Sequence, residues 1–469
     1  MRTSAHSGQA LRELFAQGIR LAQNSVSSRL PGQIIFLVFF GIFEIGSLIC
    51  GVAVNSNMLI VGRAIAGLGG AGIATGALSI IAASLPLRKR PIFLAGLQSV
   101  FGVATIVGPL IGGALTEHVS WRWCFYINLP VGALTFITLI VFFRPPSRNV
   151  GLGSVQQKLA KLDMIGAFLF IPSVIMVLLA LQWGGSTYPW KSATIIGLFC
   201  GFAGLAILFI LWQIRKGDDA MIPPRLIKQR TLFAASLAVF FTMGGIFTVV
   251  YYLPEWFQVA KGASPTKSGV MYLPSALAEI LAANLSGLLV MQLGYYNPFL
   301  LLGTTLMAIG SGLFTTFKPD TGHFQWISYQ VLQGLGAGMN IVMPFIAIQA
   351  VLKPEDIPIG NSIVLLFQFF GGSVFLAISQ AVFSNRLLDS LAKLGDIGID
   401  EIDIQRVIHA GATAIRTAVT EAQLPAVIKS FNIGITSTFY VAAGACAGAF
   451  VAAAFLEWKS VKGKSLMPA

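Results

Sequence analysis

Long apolar runs separated by short polar stretches set the pattern of this chain. Runs of about 20 residues, enough to cross a bilayer, fall near residues 34–54, 58–81, 92–115, 123–143, 163–183 and 192–214. Six more follow near 232–254, 269–291, 298–317, 325–351, 359–383 and 431–456. The pattern predicts twelve transmembrane helices and an all-α, polytopic helical bundle. Residues 1–33 read as a polar leader, with one weakly amphipathic run carrying Leu11, Leu14, Phe15 and Ile19. The stretch 384–430 reads as a long external loop, and 457–469 as a tail.

Composition narrows the class. Of 469 residues, 55% are hydrophobic and only 10% charged, and the mean hydropathy is +0.79. A soluble domain so composed lacks the polar groups to cover its own surface. The net charge of +13 would suit nucleic acid if it were clustered on a soluble face, but the basic residues sit in short loops beside apolar spans. One side of the predicted bilayer holds 20 Lys and Arg against 10 on the other. Both termini are therefore expected in the cytoplasm, with Arg88–Arg90 and Arg144–Arg148 as the clearest anchors. The expected partners are lipid bilayer, a small-molecule substrate and protons, with no nucleic acid, and the expected state is a monomer in the cell membrane or an internal membrane.

Two enzymatic readings are excluded early. The histidines His6, His118, His323 and His409 lie outside span interiors and far apart, so metal ligands are lacking. There is no GxxxxGK[ST] loop to hold a nucleotide. Cys50, Cys124, Cys200 and Cys446 lie in or beside spans without metal-ligand spacing. The expectation is therefore a protein that is not an enzyme, needs no cofactor and draws on an ion gradient.

The stretch from Gly102 to Trp123, GVATIVGPLIGGALTEHVSWRW, is the most informative. Gly108 and Gly112 are four apart, which on a helix makes one smooth face for close approach of a neighbour. Pro109 removes a donor and invites a bend. Ordinary close packing and a hinge or seal both fit this spacing.

The longer segment GPLIGGALTEHVSWRWCFYINLPVG resembles the antiporter signature of the major facilitator superfamily, in the form of its fungal fourteen-helix drug:proton branch. On that resemblance Gly102, Gly108, Pro109, Gly112 and Gly113 form the signature that seals the outer side. FEIGSLICG (Phe43–Gly51), LIVGRAIAGLGGAG (Leu59–Gly72), YYLPEWFQ (Tyr251–Gln258) and EWKSVKG (Glu457–Gly463) are similar to the same branch.

An internal repeat supports the same layout. Gly67, Leu68 and Gly69 match Gly334, Leu335 and Gly336 at an offset of 267, which sets Arg63 opposite Gln330. The copies lie on spans two and ten. Two six-helix halves joined directly would put them six spans apart, so eight implies two extra helices between the halves. The resemblance places the signature on the fifth helix, whereas here it is on the third. Both arguments predict a first half of four spans (34–143), a linker region with two (144–231) and a second half of six (232–456), with the family's first two helices lacking a counterpart.

Charge inside the spans marks the candidate chemistry, because an isolated charge in hydrocarbon costs about 2.5–3.5 kcal/mol on insertion scales. Glu44 and Glu279 are the acidic residues well inside spans, and a carboxyl held in oil favours its protonated form. Each reads either as a proton carrier or as a neutral group joining helices. Arg63 is the basic residue within a span. It either snorkels or, as the resemblance implies, belongs to a motif associated with proton coupling, with Glu44 as its nearest partner by topology. Gln330, Asn340 and Gln368, with Asn284, Gln333, Gln349 and the phenylalanines Phe240, Phe241, Phe367, Phe369 and Phe370, suit a largely apolar cavity with a few polar groups, or plain helix packing. The resemblance implies proton-coupled efflux of a hydrophobic small molecule. A proton-coupled importer, for example of an iron chelate, and a truncated, non-transporting remnant are the alternatives.

Overall fold

A computed structural model describes residues 32–142, 163–394, 415 and 419–462. The leader run, the Arg144–Arg148 anchor and the acidic residues Asp396, Asp400, Glu401 and Asp403 of the long loop lie outside the described residues. The rest is helical, and each of the twelve apolar runs falls on helix. The first four helices are α1 (Gly32–Gly51), α2 (Ser56–Ser84), α3 (Arg90–His118) and α4 (Asn128–Phe142). Then come α5 (Met164–Trp183) and α6 (Ala193–Lys216). The remainder comprises α7 (Arg230–Lys261), α8 (Leu273–Leu293), α9 (Asn297–Phe314), α10 (His323–Ile341), α11 (Met343–Val351), α12 (Ile357–Ala392) and α13 (Leu424–Ala454). Nine candidate spans among the described residues are long and apolar enough to cross a membrane, and Phe36–Gly51 and Trp123–Leu139 are shorter apolar helices.

Local chemistry sets the helix ends. Asn55 caps α2 by accepting from the Met58 amide at 2.8 Å, and Ser192 caps α6 through the Ile195 amide at 3.3 Å. Gly262 and Gly294 close α7 and α8 at φ of 61° and 90°, where a side chain would be strained. The tenth apolar run is one stretch in the sequence but two helices in the structure. Pro344 has no amide to donate to the turn before it, and α10 and α11 part at Val342. At the two ends of the stretch 384–430, expected as a long loop, α12 continues to Ala392 and α13 starts at Leu424. Among its acidic residues Asp389 lies on α12. α3 runs through Pro109 without a break in its helix.

The sequence repeat is a repeat of packing. Where a side chain on Gly69 would start, the structure has the Phe43 amide and the Phe39 carbonyl of α1; at Gly336 it has the Met307 amide and the Gly303 carbonyl of α9. Gly46 of α1 likewise meets the Ala66 backbone of α2, as Gly310 of α9 meets the Gln333 backbone of α10. The α1–α2 pair thus reproduces the α9–α10 pair contact for contact. In the second half α10 also packs on α8, and α12 packs on α7. Among the described residues the first half has no counterparts of α7 and α8. The two largest apolar clusters are centred on the second half.

Candidate functional site at the junction of the halves

The halves meet where α3 lies against α8. Gly102 is buried, and the Ile280 side chain fills the space a side chain there would need. Three residues earlier the Ser99 hydroxyl accepts from the Asn284 amide at 2.6 Å. Nearer the start of α3, Gly287 of α8 rests on the Pro91 carbonyl and the Ala95 methyl. These small residues let two backbones approach closely, and the Ser–Asn bond fixes their register. Glu279 lies on this seam, half-buried, beside Gln98 of α3 and near Tyr272. A carboxyl at the contact between two halves changes its surroundings whenever the halves move.

The seam ends in a buried arginine. Arg90 is only 4% exposed. It donates through Nε to the Leu85 carbonyl at 3.0 Å and through Nη2 to the Ala82 carbonyl, closing the last turn of α2. Its Nη1 reaches Gln349 Oε1 of α11 at 3.3 Å, and Gln349 Nε2 donates to Asn361 Oδ1 of α12 at 3.2 Å. The sequence marks Arg88–Arg90 as an orientation anchor; in the structure exposed Arg88 also reaches the Met291 carbonyl of α8 at 3.4 Å, and buried Arg90 joins the halves.

The other sequence candidates are placed differently. Glu44 does not pair with Arg63: its Oε1 lies against Gly132 of α4, and its Oε2 is buried without a hydrogen-bond partner. The α1–α2 contact is made by Phe39, Phe43 and Gly46, and Glu44 follows Phe43 by one residue, so it turns toward α4. Arg63 is half-buried, with its Nε also lacking a partner. Its repeat counterpart Gln330 is fully buried and donates to the carbonyls of Met271 at 3.1 Å and Trp326 at 3.2 Å. The close packing expected at Gly108 and Gly112 is not seen among the described residues, none of which places an atom within 4 Å of where their side chains would start. In the second half that kind of contact comes from α7, whose Phe240 backbone meets Gly371 of α12. Pro109 and Gly113 lie on α3 beside them.

The cavity candidates separate. Asn340 faces α9, donating to the Gly336 carbonyl at 2.9 Å and approaching Met307 Sδ at 3.3 Å. Gln333 accepts from Ser275 at 2.9 Å. The Met307 and Ser275 contacts run between packed helices, and the Gly336 bond lies within α10. Gln368 is half-buried with Oε1 unpartnered. Phe240, Phe241 and Phe370 gather with Phe375, with centroids 5.3–5.8 Å apart, where α7 meets α12. Phe367 and Phe369 pack against the main apolar cluster.

A second polar centre went unread in the sequence. Asp163, 1% exposed, caps α5 through the Gly166 amide at 3.0 Å. It also accepts from Trp212 Nε1 and Gln213 Nε2, both at 2.8 Å, from the Met221 amide at 3.1 Å and from Lys216 Nζ at 3.3 Å. Burial works to raise this carboxyl, but the hydrogen bonds outweigh it and hold it below the usual carboxylate value. Close by in sequence, Arg225 forks onto both oxygens of Asp356, at 2.9 and 3.0 Å, and reaches Asp218 at 3.4 Å. These acidic partners push its guanidinium further above its ordinary value. An Asp directly before an apolar run is a helix-start signal, and it marks Asp163.

Two packed halves of membrane-length helices, related by a repeat and meeting along a polar seam, define a membrane transporter. The family model described as Major Facilitator Superfamily matches residues 22–376, and the chain belongs to that family. It is 44% identical over 440 residues to the MFS-type efflux pump MFS1 of Arthroderma benhamiae, covering 94% of this chain and 81% of the relative. It is 45% identical to the MFS-type transporter astH of Aspergillus oryzae (92% and 76% covered) and 43% identical to the efflux pump roqT of Penicillium rubens (91% and 79%). Among solved structures, the fold is similar to the human organic anion transporter MFSD10, with a TM-score of 0.56 at 11% identity over 94% of this chain and 83% of that one. The proton:xylose symporter XylE bound to 6-bromo-6-deoxy-D-glucose also gives 0.56, at 16% identity over 98% and 89%.

Proposed function

We propose that this transporter exports a hydrophobic small molecule, such as a fungal secondary metabolite, toxin or drug, in exchange for protons. The relatives named as efflux pumps support export. The observation that carries the proton reading is Glu279 on the α3–α8 seam, where rocking of the halves would alternately cover and expose one carboxyl. Arg63 and Glu44 act as secondary charged groups on the first half, and Gln330, Asn340 and Gln368 contribute polar points to the second. Both termini face the cytoplasm in this reading, and the protein works as a monomer.

The test uses inside-out membrane vesicles with an acidified lumen and a panel of fluorescent hydrophobic compounds. Export by exchange predicts gradient-dependent accumulation of at least one compound, abolished by an uncoupler. Accumulation under the opposite gradient would favour the importer, and no movement under either gradient would end the proposal.

A further inference from the structure

We infer that the two linker helices α5 and α6 belong mechanically to the second half and move with it as one body, with Asp163, Arg225 and Asp356 as the positioning residues. The inference rests on the reading that the halves rock against each other, and it assigns the linker to one of them.

The contacts the linker pair makes outside itself are concentrated on α12, at three levels along that helix. At the end near Asp163, the forked bond from Arg225 to Asp356 ties the segment after α6 to the start of α12. At mid-height, Phe170 of α5 stands 5.2 Å from Phe209 of α6 and 6.5 Å from Phe370 of α12, and Val174 shares an apolar cluster with Phe370 and Val374. At the far end, the α5–α6 turn passes through Gly185 at φ 74°, and the Asn385 amide of α12 fills the space where a side chain would start. A helix pair held at bottom, middle and top of a third helix cannot pivot on it without breaking one of these contacts.

The pair is also stiff within itself. Asp163 gathers donors from α6 and from the segment after it, and Gln213 Oε1 accepts from the Ile222 amide at 2.8 Å. A carboxylate with five donors, buried at 1% exposure, fixes where α5, α6 and the following segment stand relative to one another. Arg225 then transmits that position to α12. Removing the Arg225 side chain frees one end of the dock and leaves the apolar middle intact.

Spin labels report this directly, in a background carrying Cys124→Ser and Cys200→Ser. Cysteines placed at exposed sites Ile207 on α6, Tyr440 on α13 and Val131 on α4 give three pairwise distance distributions in lipid nanodiscs. We expect the α6–α13 distribution to be at least twofold narrower than α4–α13, and α4–α6 to be as broad as α4–α13. An α6–α13 distribution as broad as α4–α13 would overturn the assignment. With Arg225→Ala the α6–α13 distribution should broaden while α4–α13 stays the same; no change in any of the three would remove Arg225 from the positioning role. The measurement needs no transported substrate, so failure of the export proposal leaves its outcome readable.

Discussion

Gly102 and Gly108 stand six residues apart on one helix, and the structure gives them opposite surroundings. A side chain at Gly102 runs into Ile280, whereas one at Gly108 meets no atom of the described residues within 4 Å. Gly102→Leu should therefore push α3 away from α8 and lower the melting temperature by several degrees in detergent, while Gly108→Leu should leave it within about a degree. Equal loss from both would mean that α3 is packed on both faces. Asp163→Ala strips five donors of their acceptor and should cost about 3 kcal/mol of stability. Its folded pKa is depressed, so its contribution is present above the ordinary value of 3.8 and is lost as pH falls through the folded value below that. Chemical unfolding of the wild type followed by Trp212 fluorescence should become easier only below about pH 4, and Asp163→Ala should lose that part of the pH dependence. An unchanged profile in the variant would contradict the assigned role.

At the scale of helices, the repeat makes a paired prediction. Gly69→Ala and Gly336→Ala each drive a methyl into the backbone of the preceding helix and should destabilise by about 2 kcal/mol. Gly70→Ala, whose nearest neighbour among the described residues is a Phe43 ring carbon at 3.8 Å, should be neutral or stabilising by up to about 1 kcal/mol through helix propensity. Thermal unfolding of the three variants checks this, and a Gly69 variant as stable as wild type would break the equivalence. The glycine repeat was legible because close helix crossings leave few residue choices, and helix positions were legible because twenty apolar residues in a row are hard to place elsewhere. The Glu44–Arg63 pairing was misread because proximity of two helices does not fix which faces meet; Glu44 is one residue off the contact line. Arg90 was hidden among three consecutive basic residues, since a charge run says nothing about which member turns inward. Asp163 carried a readable capping signal, yet its donors lie some 50 residues away in the chain, beyond any local pattern.

For the whole molecule, the two halves differ in completeness of packing. The second half has α7 and α8 against α12 and α10, and in the first half no described residue comes within 4 Å of a side chain placed at Gly108. The α3–α8 seam is thus the main described bearing between the halves, and α12 carries both the linker pair and the contact with α2. Glu279 sits on that bearing, and the proposed proton exchange therefore assigns to it the coupling of proton binding to movement of the halves. The measurement that tests this is proton release or uptake, read by a lumenal pH dye in proteoliposomes, on addition of a compound that the vesicle panel identifies as a substrate. Wild type should dissipate an imposed pH gradient only when substrate is present, and Glu279→Gln, inserted at the same level, should lose at least nine-tenths of that response. Undiminished substrate-dependent proton movement in Glu279→Gln would contradict the account.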